Sequence, residues 1–520
     1  MRPTFLGFET ARRGLMVSQK GLDITGQNLT NVKTPGYTRQ RIDLYAVAPS
    51  SYQSRYATNR TPLAGQGVDA SGVSQTRDSF LDKRFRDEYG DVGYYDQVSS
   101  VLGDIESALD EYDAGTGLLN AITEINKALN NFSNSNADSK THANIVASAF
   151  KNITQVLHQF DTKLNNVAEQ QKTDLELAVN DVNGMLEKVA ALNRTISEDA
   201  SASATSPGEY YGPNELLDER NLLLDELSRC GDLDVTQNAD GTVTLNMNGH
   251  TVVEGKKAES INFFRNSNGT VTLAWQSDGK AIELTKGSLK GATDMINGRG
   301  VNARASNETV QNGILYFKDK INTFASTLVQ TINHILPKTD ASGEIEKDAS
   351  GNIVYKTLLA GNTQAVDGSG KFITSTDIPI TASNISLSDE WAKDSSYVIF
   401  REGDKDSTYA IAMSKALTND SQIAFTSAGE RFTGTFSDFV KDYVGTYGTD
   451  KAFNDGRMNA AASIADSLLD RRDQISAVEP DEETTNMMLY QKSYQAIARL
   501  MTTLDEALDV LINRTGLVGR

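Results

Sequence analysis

Near its N-terminus the chain carries an apolar repeat of seven: Phe8, Leu15, Leu22 and Leu29. The companion positions, Ala11, Ser18, Thr25 and Val32, are mostly small or polar. This spacing predicts a helix over about residues 4–32 with one bulky and one slim seam. Gly7, Gly14, Gly21 and Gly26 each weaken such a helix by about 1 kcal/mol relative to alanine, so it should need a partner. At the other end Met487, Tyr490, Tyr494, Ile497, Met501, Leu504, Leu508 and Leu511 advance in steps of three and four, and here both seam positions are bulky. The two terminal helices are expected to pack together, the bulky side chains of one filling the space left by the small ones of the other. The residues alone leave open whether the same stripes also meet neighbouring copies.

Further helical stripes lie between. Leu118, Ile122, Ile125, Leu129 and Phe132 form one, and Leu175, Val179, Val182, Leu186, Val189, Leu192 and Ile196 a longer one. Ile314, Phe317, Ile321, Phe324, Leu328 and Ile332 form a third. The run "ASASATSPGEYYGP" (200–213) interrupts the helical pattern, and "NELLDERNLLLDELS" resumes it. Two regions read as strands. "NADGTVTLNMNGHTVVEG" alternates Val243, Leu245 and Met247 between an Asp240-Gly241 turn and an Asn248-Gly249 hairpin turn. The second contains the short repeat "DASGEIEK" and "DASGNIVYK".

The fold class expected is α+β, mainly α: elongated terminal coiled-coil helices plus a helical rod domain with inserted β-rich domains. Residues 1–35 and 480–520 would form the terminal domain, and 36–231, 300–336 and 405–479 the rod. Residues 232–299 would be a β-rich hairpin region, and 337–404 a β-rich outer domain borne on loops and able to absorb deletion.

Charge narrows the function. With 50 Lys+Arg against 69 Asp+Glu, a formal −19, the chain is a poor partner for nucleic acid or anionic lipid. No run of eighteen apolar residues is present to span a membrane, and the N-terminus lacks the apolar core and cleavage site of a secretory signal peptide. Export, if it occurs, is expected by a route that cleaves no signal. The lone cysteine, Cys230, cannot form an internal disulfide and is expected to be a small buried residue. His142, His158, His250 and His334 are scattered without metal-ligand spacing. No phosphate-cradling or nucleophile-elbow motif occurs, and the "DASG" units place glycine fourth rather than sixth, outside the calcium-loop pattern. Neither catalytic residues, metal ligands nor a cofactor are expected.

"NLTNVKTPGYTRQR" (28–41) resembles the signature shared by bacterial flagellar rod, hook and hook-associated proteins, through Asn28, Asn31, Val32, Thr34, Pro35, Gly36 and Tyr37. The C-terminal "DEETTNMMLYQKSYQAIARLMTTLDEALDVLIN" is similar to the tail of the same proteins, with Glu482, Glu483, Tyr490, Gln491, Tyr494 and Leu508 among the matching residues. Arg39-Gln40 after the turn, "LLDERNLLLDELS", "KDKINTFASTLVQTINHI" and "TGTFSDFVKDYVGTYG" resemble the hook-associated protein 1 family, the hook–filament junction proteins. The tail departs from that family at Ala477, Val478 and Glu479 and adds "RTGLVGR".

The resemblance implies a non-enzymatic structural adaptor outside the cell, in the flagellum, assembled from exported subunits in a helical or ring-like layer. Its implied partners are the hook protein, the second hook–filament junction protein, further copies of the chain and a cytoplasmic export chaperone that binds the C-terminal helix. The interface residues expected are Phe8, Leu15, Leu22, Leu29, Tyr490, Tyr494, Ile497, Met501, Leu504, Leu508 and Leu511. The signature turn is Asn28, Asn31, Pro35, Gly36, Tyr37, Arg39 and Gln40. A hook or distal rod protein is the nearest alternative. A secreted wall hydrolase on the same scaffold is the alternative from another class.

Overall fold

A computed structural model of the chain describes residues 6–47, 66–109, 117–135, 139–198, 213–340, 342–366, 372–375, 379–401, 407–419, 423–426 and 429–514. The expected helix start at residue 4, most of the helical break at 200–213 and the tail beyond residue 514 lie outside the described residues. The helices in chain order are α1 (Leu6–Thr30), α2 (Ser79–Leu109), α3 (Gly117–Asn134), α4 (Lys140–Glu198), α5 (Asn214–Cys230) and α6 (Ser288–Asn297). They continue as α7 (Ile314–Asn333), α8 (Asp389–Lys393), α9 (Thr408–Thr418), α10 (Phe436–Ser476) and α11 (Pro480–Asp509). The fold is mainly α, with small antiparallel sheets, as the hydrophobic pattern predicts.

The chain divides into two compact units, one of residues 1–90, 182–260 and 461–520, the other of 91–181 and 261–460. In the first unit β1 (Gln40–Ala46) and β2 (Val68–Gln75) form a ribbon with Gln40 opposite Gln75 and Ala46 opposite Val68. Strands β3 (Leu233–Gln237), β4 (Val243–Met247), β5 (His250–Glu254) and β6 (Lys257–Ala258) form a sheet in that order. The β4–β5 turn uses Asn248 at φ 50° and Gly249 at φ 77°, the left-handed pair that a two-residue hairpin requires.

The second unit holds the ribbon of β7 (Ile261–Arg265) and β8 (Val271–Trp275). The region expected as one hairpin domain, 232–299, is therefore split between the units after residue 260. The reason is local. Each set of strands is fastened by a different helix through one asparagine. Val243 of β4 donates its N–H to Asn193 Oδ1 of α4 (3.1 Å), and Asn193 Nδ2 donates to Val243 O (2.8 Å). Val271 of β8 makes the same two bonds with Asn297 of α6, at 2.7 and 2.8 Å. Even the turns match. Asn238 Nδ2 donates to Thr242 and Thr244, and Asn266 Nδ2 to Thr270 and Thr272. "NADGTVTL" and "NSNGTVTL" are thus one motif used twice, a repeat that periodicity does not reveal.

The core of the second unit is built on the stripes of α2, α3, α4, α7, α9 and α10, where Ile105, Leu129, Phe150, Phe317 and Phe324 are wholly buried. Phe425 stacks on Phe439 at 4.3 Å and meets Phe436 edge-on at 5.0 Å, within β12 (Ala424–Thr426), β13 (Arg431–Thr433) and α10. Buried Lys320 of α7 crosses to Glu430 (2.7 Å) and Asp442 (3.0 Å), an ion triad that ties α7 to the hairpin and α10.

Part of the segment expected as an outer domain, 337–404, belongs to this core. Leu358, Leu359, Ala382, Ile385 and Trp391 are buried in it, and β9 (Leu359–Val366) pairs with both β10 (Phe372–Ser375) and β11 (Ile385–Leu387). The turns of the Asp-Ala-Ser-Gly repeat stand out of the core, each closed by its own aspartate. Asp340 Oδ1 accepts from the N–H of Ser342 and Glu344, and Asp348 Oδ1 from those of Ser350 and Asn352. Cys230, expected to be buried, is half-buried as the last residue of α5.

Candidate functional site

The site is the pairing of the two ends of the chain and the turn that fastens them, all within the first unit. Helix α1 approaches α11 through its slim face. Ala11, Ser18 and Thr25 are buried, while Phe8, Leu15, Leu22 and Leu29 are half-buried along the flank. The glycines make the approach possible. A Cβ on Gly21 would lie 2.7 Å from the Tyr490 ring, on Gly14 2.9 Å from Ile497 Cδ1, and on Gly7 3.3 Å from Leu504 Cδ1. Tyr490, Ile497 and Leu504 are therefore knobs, and the three glycines are the holes that receive them, seven residues apart on both antiparallel helices. The hydroxyls in this close seam are satisfied internally: Ser18 Oγ donates to Gly14 O (2.8 Å) and Thr25 Oγ1 to Gly21 O (3.0 Å).

A polar layer closes the pair at the end of α1. The helix stops at Thr30, short of the expected residue 32, because Asn31 Nδ2 turns back to Gln27 O (3.0 Å) and the chain enters a turn. Thr34 N–H donates to Asn31 O, exposed Pro35 follows, and Gly36 takes φ 76° beside Leu222 of α5. This reversal brings Tyr37, Arg39 and Gln40 back over Asn28. Every hydrogen-bonding position of the Asn28 amide is filled. Its Oδ1 accepts from Tyr37 Oη (2.8 Å) and Gln40 N (3.0 Å), and its Nδ2 donates to Gln40 O (2.8 Å) and Glu483 Oε2 (3.2 Å). Arg39 Nε donates to Glu483 Oε1 and Nη1 to Glu482 Oε2, both at 2.8 Å. Glu483 is 1% exposed, and these partners offset the cost of burying its charge.

The backbone of Arg39 adds two more ties, donating to Ser476 O and accepting from Thr76 N. Gln40 Nε2 is buried without a partner among the described residues. Burial, reinforced by Asp218, Glu215 and Glu483, pushes the Tyr37 hydroxyl well above the usual phenol range, so it remains a donor at neutral pH. Burial also raises the Asp218 carboxyl, against the opposing pull of Thr38, Arg77 and Gln75. Asp218 anchors the turn to α5 by accepting from Thr38 N (3.2 Å) and Gln75 Nε2 (2.8 Å).

Of the residues expected at an interface, the structure brings Tyr490, Ile497 and Leu504 onto α1, and leaves Met501 and Leu508 half-buried. Tyr494 is exposed, and Leu511 lies past α11, in the π-helical turn Val510–Arg514. Sequence reasoning missed the role of Gly7, Gly14 and Gly21, which it read only as weakening the helix. Their own seven-residue spacing was the available signal. On its outer side α11 carries exposed Leu489 and Leu500, and α1 carries exposed Met16. Among the described residues no helix is long and apolar enough to cross a membrane.

The chain as a whole is similar to known flagellar proteins. The family model "Flagellar hook-associated protein FlgK helical domain" matches residues 102–348, and "Flagellar basal body rod FlgEFG protein C-terminal" matches 472–514. The chain is similar to flagellar hook-associated protein 1 of Bacillus subtilis, 29% identical over 543 residues and covering 100% of both chains. The protein of that name in Escherichia coli is 23% identical over 567 residues, covering 97% of this chain and 98% of its own. Among solved structures, the flagellar hook junction protein FlgK from Burkholderia pseudomallei aligns with a TM-score of 0.53 at 11% identity, covering 76% of this chain and 100% of that one, a likeness of fold.

Proposed function

We infer that the chain is a flagellar hook-associated protein 1, a structural adaptor joining the flagellar hook to the filament, from the match of its helical domain and its full-length similarity to proteins of that name. The observation that carries the mechanism is the unfinished state of the terminal helix pair. Phe8, Leu15, Leu22 and Leu29 are only half-buried, and Leu489, Leu500 and Leu511 are exposed, so one chain leaves an apolar surface on both helices. We propose that neighbouring copies cover these faces in a helical or ring-like layer, with hook protein on one side and the second junction protein on the other. The exposed outer side of α11 also suits a cytoplasmic export chaperone that keeps this helix from associating before secretion. The subunit would then leave through the flagellar export route without losing a signal peptide, and no chemical step is part of this role.

Deleting the gene should give hooks without filaments and monomeric flagellin in the medium. Complementation with Leu504→Asp/Leu508→Asp should leave that defect uncorrected, because each leucine, half-buried in one chain and fully covered once neighbours pack on it, gives up about 1.5–3 kcal/mol of burial and the carboxylates oppose it further. Normal filaments in the deletion strain would overturn the junction role. Full complementation by the double variant would overturn assembly through the helix pair.

A further inference from the structure

The layers of the terminal pair repeat every seven residues on both helices. Gly7, Gly14 and Gly21 face Leu504, Ile497 and Tyr490, and the next step of the same repeat is Asn28 facing Glu483. Three layers are glycine against an apolar knob, and the fourth alone is polar and buried. A seam of identical layers does not define its own register, because sliding one helix by a heptad restores the same pairing. Here such a slide would be supplied with a knob. Leu511 is one heptad beyond Leu504 and is 57% exposed. Moving α11 by seven residues, with the π-helical turn at Val510–Arg514 rewound as α-helix, would put Leu511 on Gly7, Leu504 on Gly14 and Ile497 on Gly21, keeping every glycine hole filled. It would bring Tyr490 opposite Asn28 and carry Glu483 off the seam, away from Asn28. The opposite slide would drive the Glu483 carboxylate into the glycine seam, which the cost of burying an unpaired charge forbids. One alternative register remains, and the polar layer, with the Arg39 N–H to Ser476 O bond just ahead of α11, separates it from the observed one.

We propose that the Asn28–Glu483 layer, braced by Arg39, is a register pin, and that α11 has a second seat one heptad along α1. The two seats differ by seven residues, about 10 Å of travel at about 1.5 Å per residue. Releasing the pin converts the terminal pair from a fixed joint into a sliding one. The device belongs to the helix pair itself and does not depend on the junction role.

The test is an electron-spin distance measurement on the full-length chain. Cys230 is replaced by serine, and spin labels are attached through Met16→Cys and Thr485→Cys, two exposed positions on the paired helices. The wild-type pin should give one distance. Glu483→Leu should add a population about 10 Å longer, because sliding toward the Leu511 seat carries Thr485 away from Met16. Adding Leu511→Glu to Glu483→Leu should abolish the longer population, since the second seat would then bury a carboxylate against Gly7. The proposal is overturned if Glu483→Leu keeps the single wild-type distance, or if the longer population survives Leu511→Glu. A structureless distribution in the chain with an intact pin also overturns it, because there would be no register to hold.

Discussion

In the second unit Ile105, Leu129, Phe150 and Phe324 are wholly buried, while Phe8, Leu15 and Leu22 of α1 are half-exposed and Leu489 and Leu500 of α11 lie open. Both regions are built from helices with the same apolar spacing, so periodicity does not set the difference. What differs is the layer beneath. The stripes of the second unit carry bulky residues at most positions and close over one another from several helices. The α1 seam is glycine, alanine, serine and threonine, which admits one partner at close range and leaves the bulky flank without cover. A complete core and an incomplete one can share a repeat, and the small residues distinguish them.

That contrast can be broken most forcibly at Phe324. Truncating it to alanine should cost the second unit about 3–5 kcal/mol in denaturant titrations, whereas Phe8→Ala in the free chain should cost under about 1 kcal/mol. Equal losses would mean that the terminal pair is as finished as the core. A subtler probe is Gly21→Val. The new side chain must displace the Tyr490 ring, an overpacking worth about 1–3 kcal/mol. Amide exchange over residues 6–30 should accelerate while that of the second unit stays unchanged. Unaltered protection would show that the glycine holes are not needed for pairing.

Much of this was legible from the chain. The stripes on α3, α4 and α7 predicted helices whose apolar faces are buried, because bulky residues at three-four spacing have few other places to go. The Asn248-Gly249 turn was equally plain, since few other dipeptides accept two left-handed residues. The glycine holes were not legible as such. A glycine's local effect is to weaken a helix, and only the partner's Tyr490 or Ile497 turns it into a receptor. Residues 337–404 misled for a related reason. Their polar turns dominate the pattern, and the short apolar steps at Leu358, Leu359 and Trp391 carry the burial.

Lys356, in that same segment, gives a pH test of how firmly it is built into the core. Its Nζ donates to the carbonyls of Tyr397 (3.1 Å) and Ile399 (2.7 Å), and burial pulls the ammonium down from its ordinary 10.5 to about 8. Between those values the folded state holds fewer protons than the unfolded one, so its contribution to stability is present above the unfolded value and is lost as pH falls through about 8. The second unit should therefore gain stability from pH 7 to 10, by at most about 3 kcal/mol, and Lys356→Met should flatten the rise. A wild-type profile that falls over this range would contradict the burial. The smallest effect is expected at the hairpin tips. Replacing residues 340–352 with a short Gly/Ser linker should change stability by under about 0.5 kcal/mol. Extending the replacement to residue 367, itself outside the described residues, removes Leu358 and Leu359 and should unfold the unit.

The twin asparagines have a consequence for how each set of strands is closed against its helix. Where β4 and β8 begin, Val243 and Val271 are buried, and each offers an N–H and a C=O that the strand ladder does not take. Asn193 and Asn297 answer both groups with a single amide, a surrogate strand one residue long. A buried donor and acceptor are thus satisfied without extending the sheet.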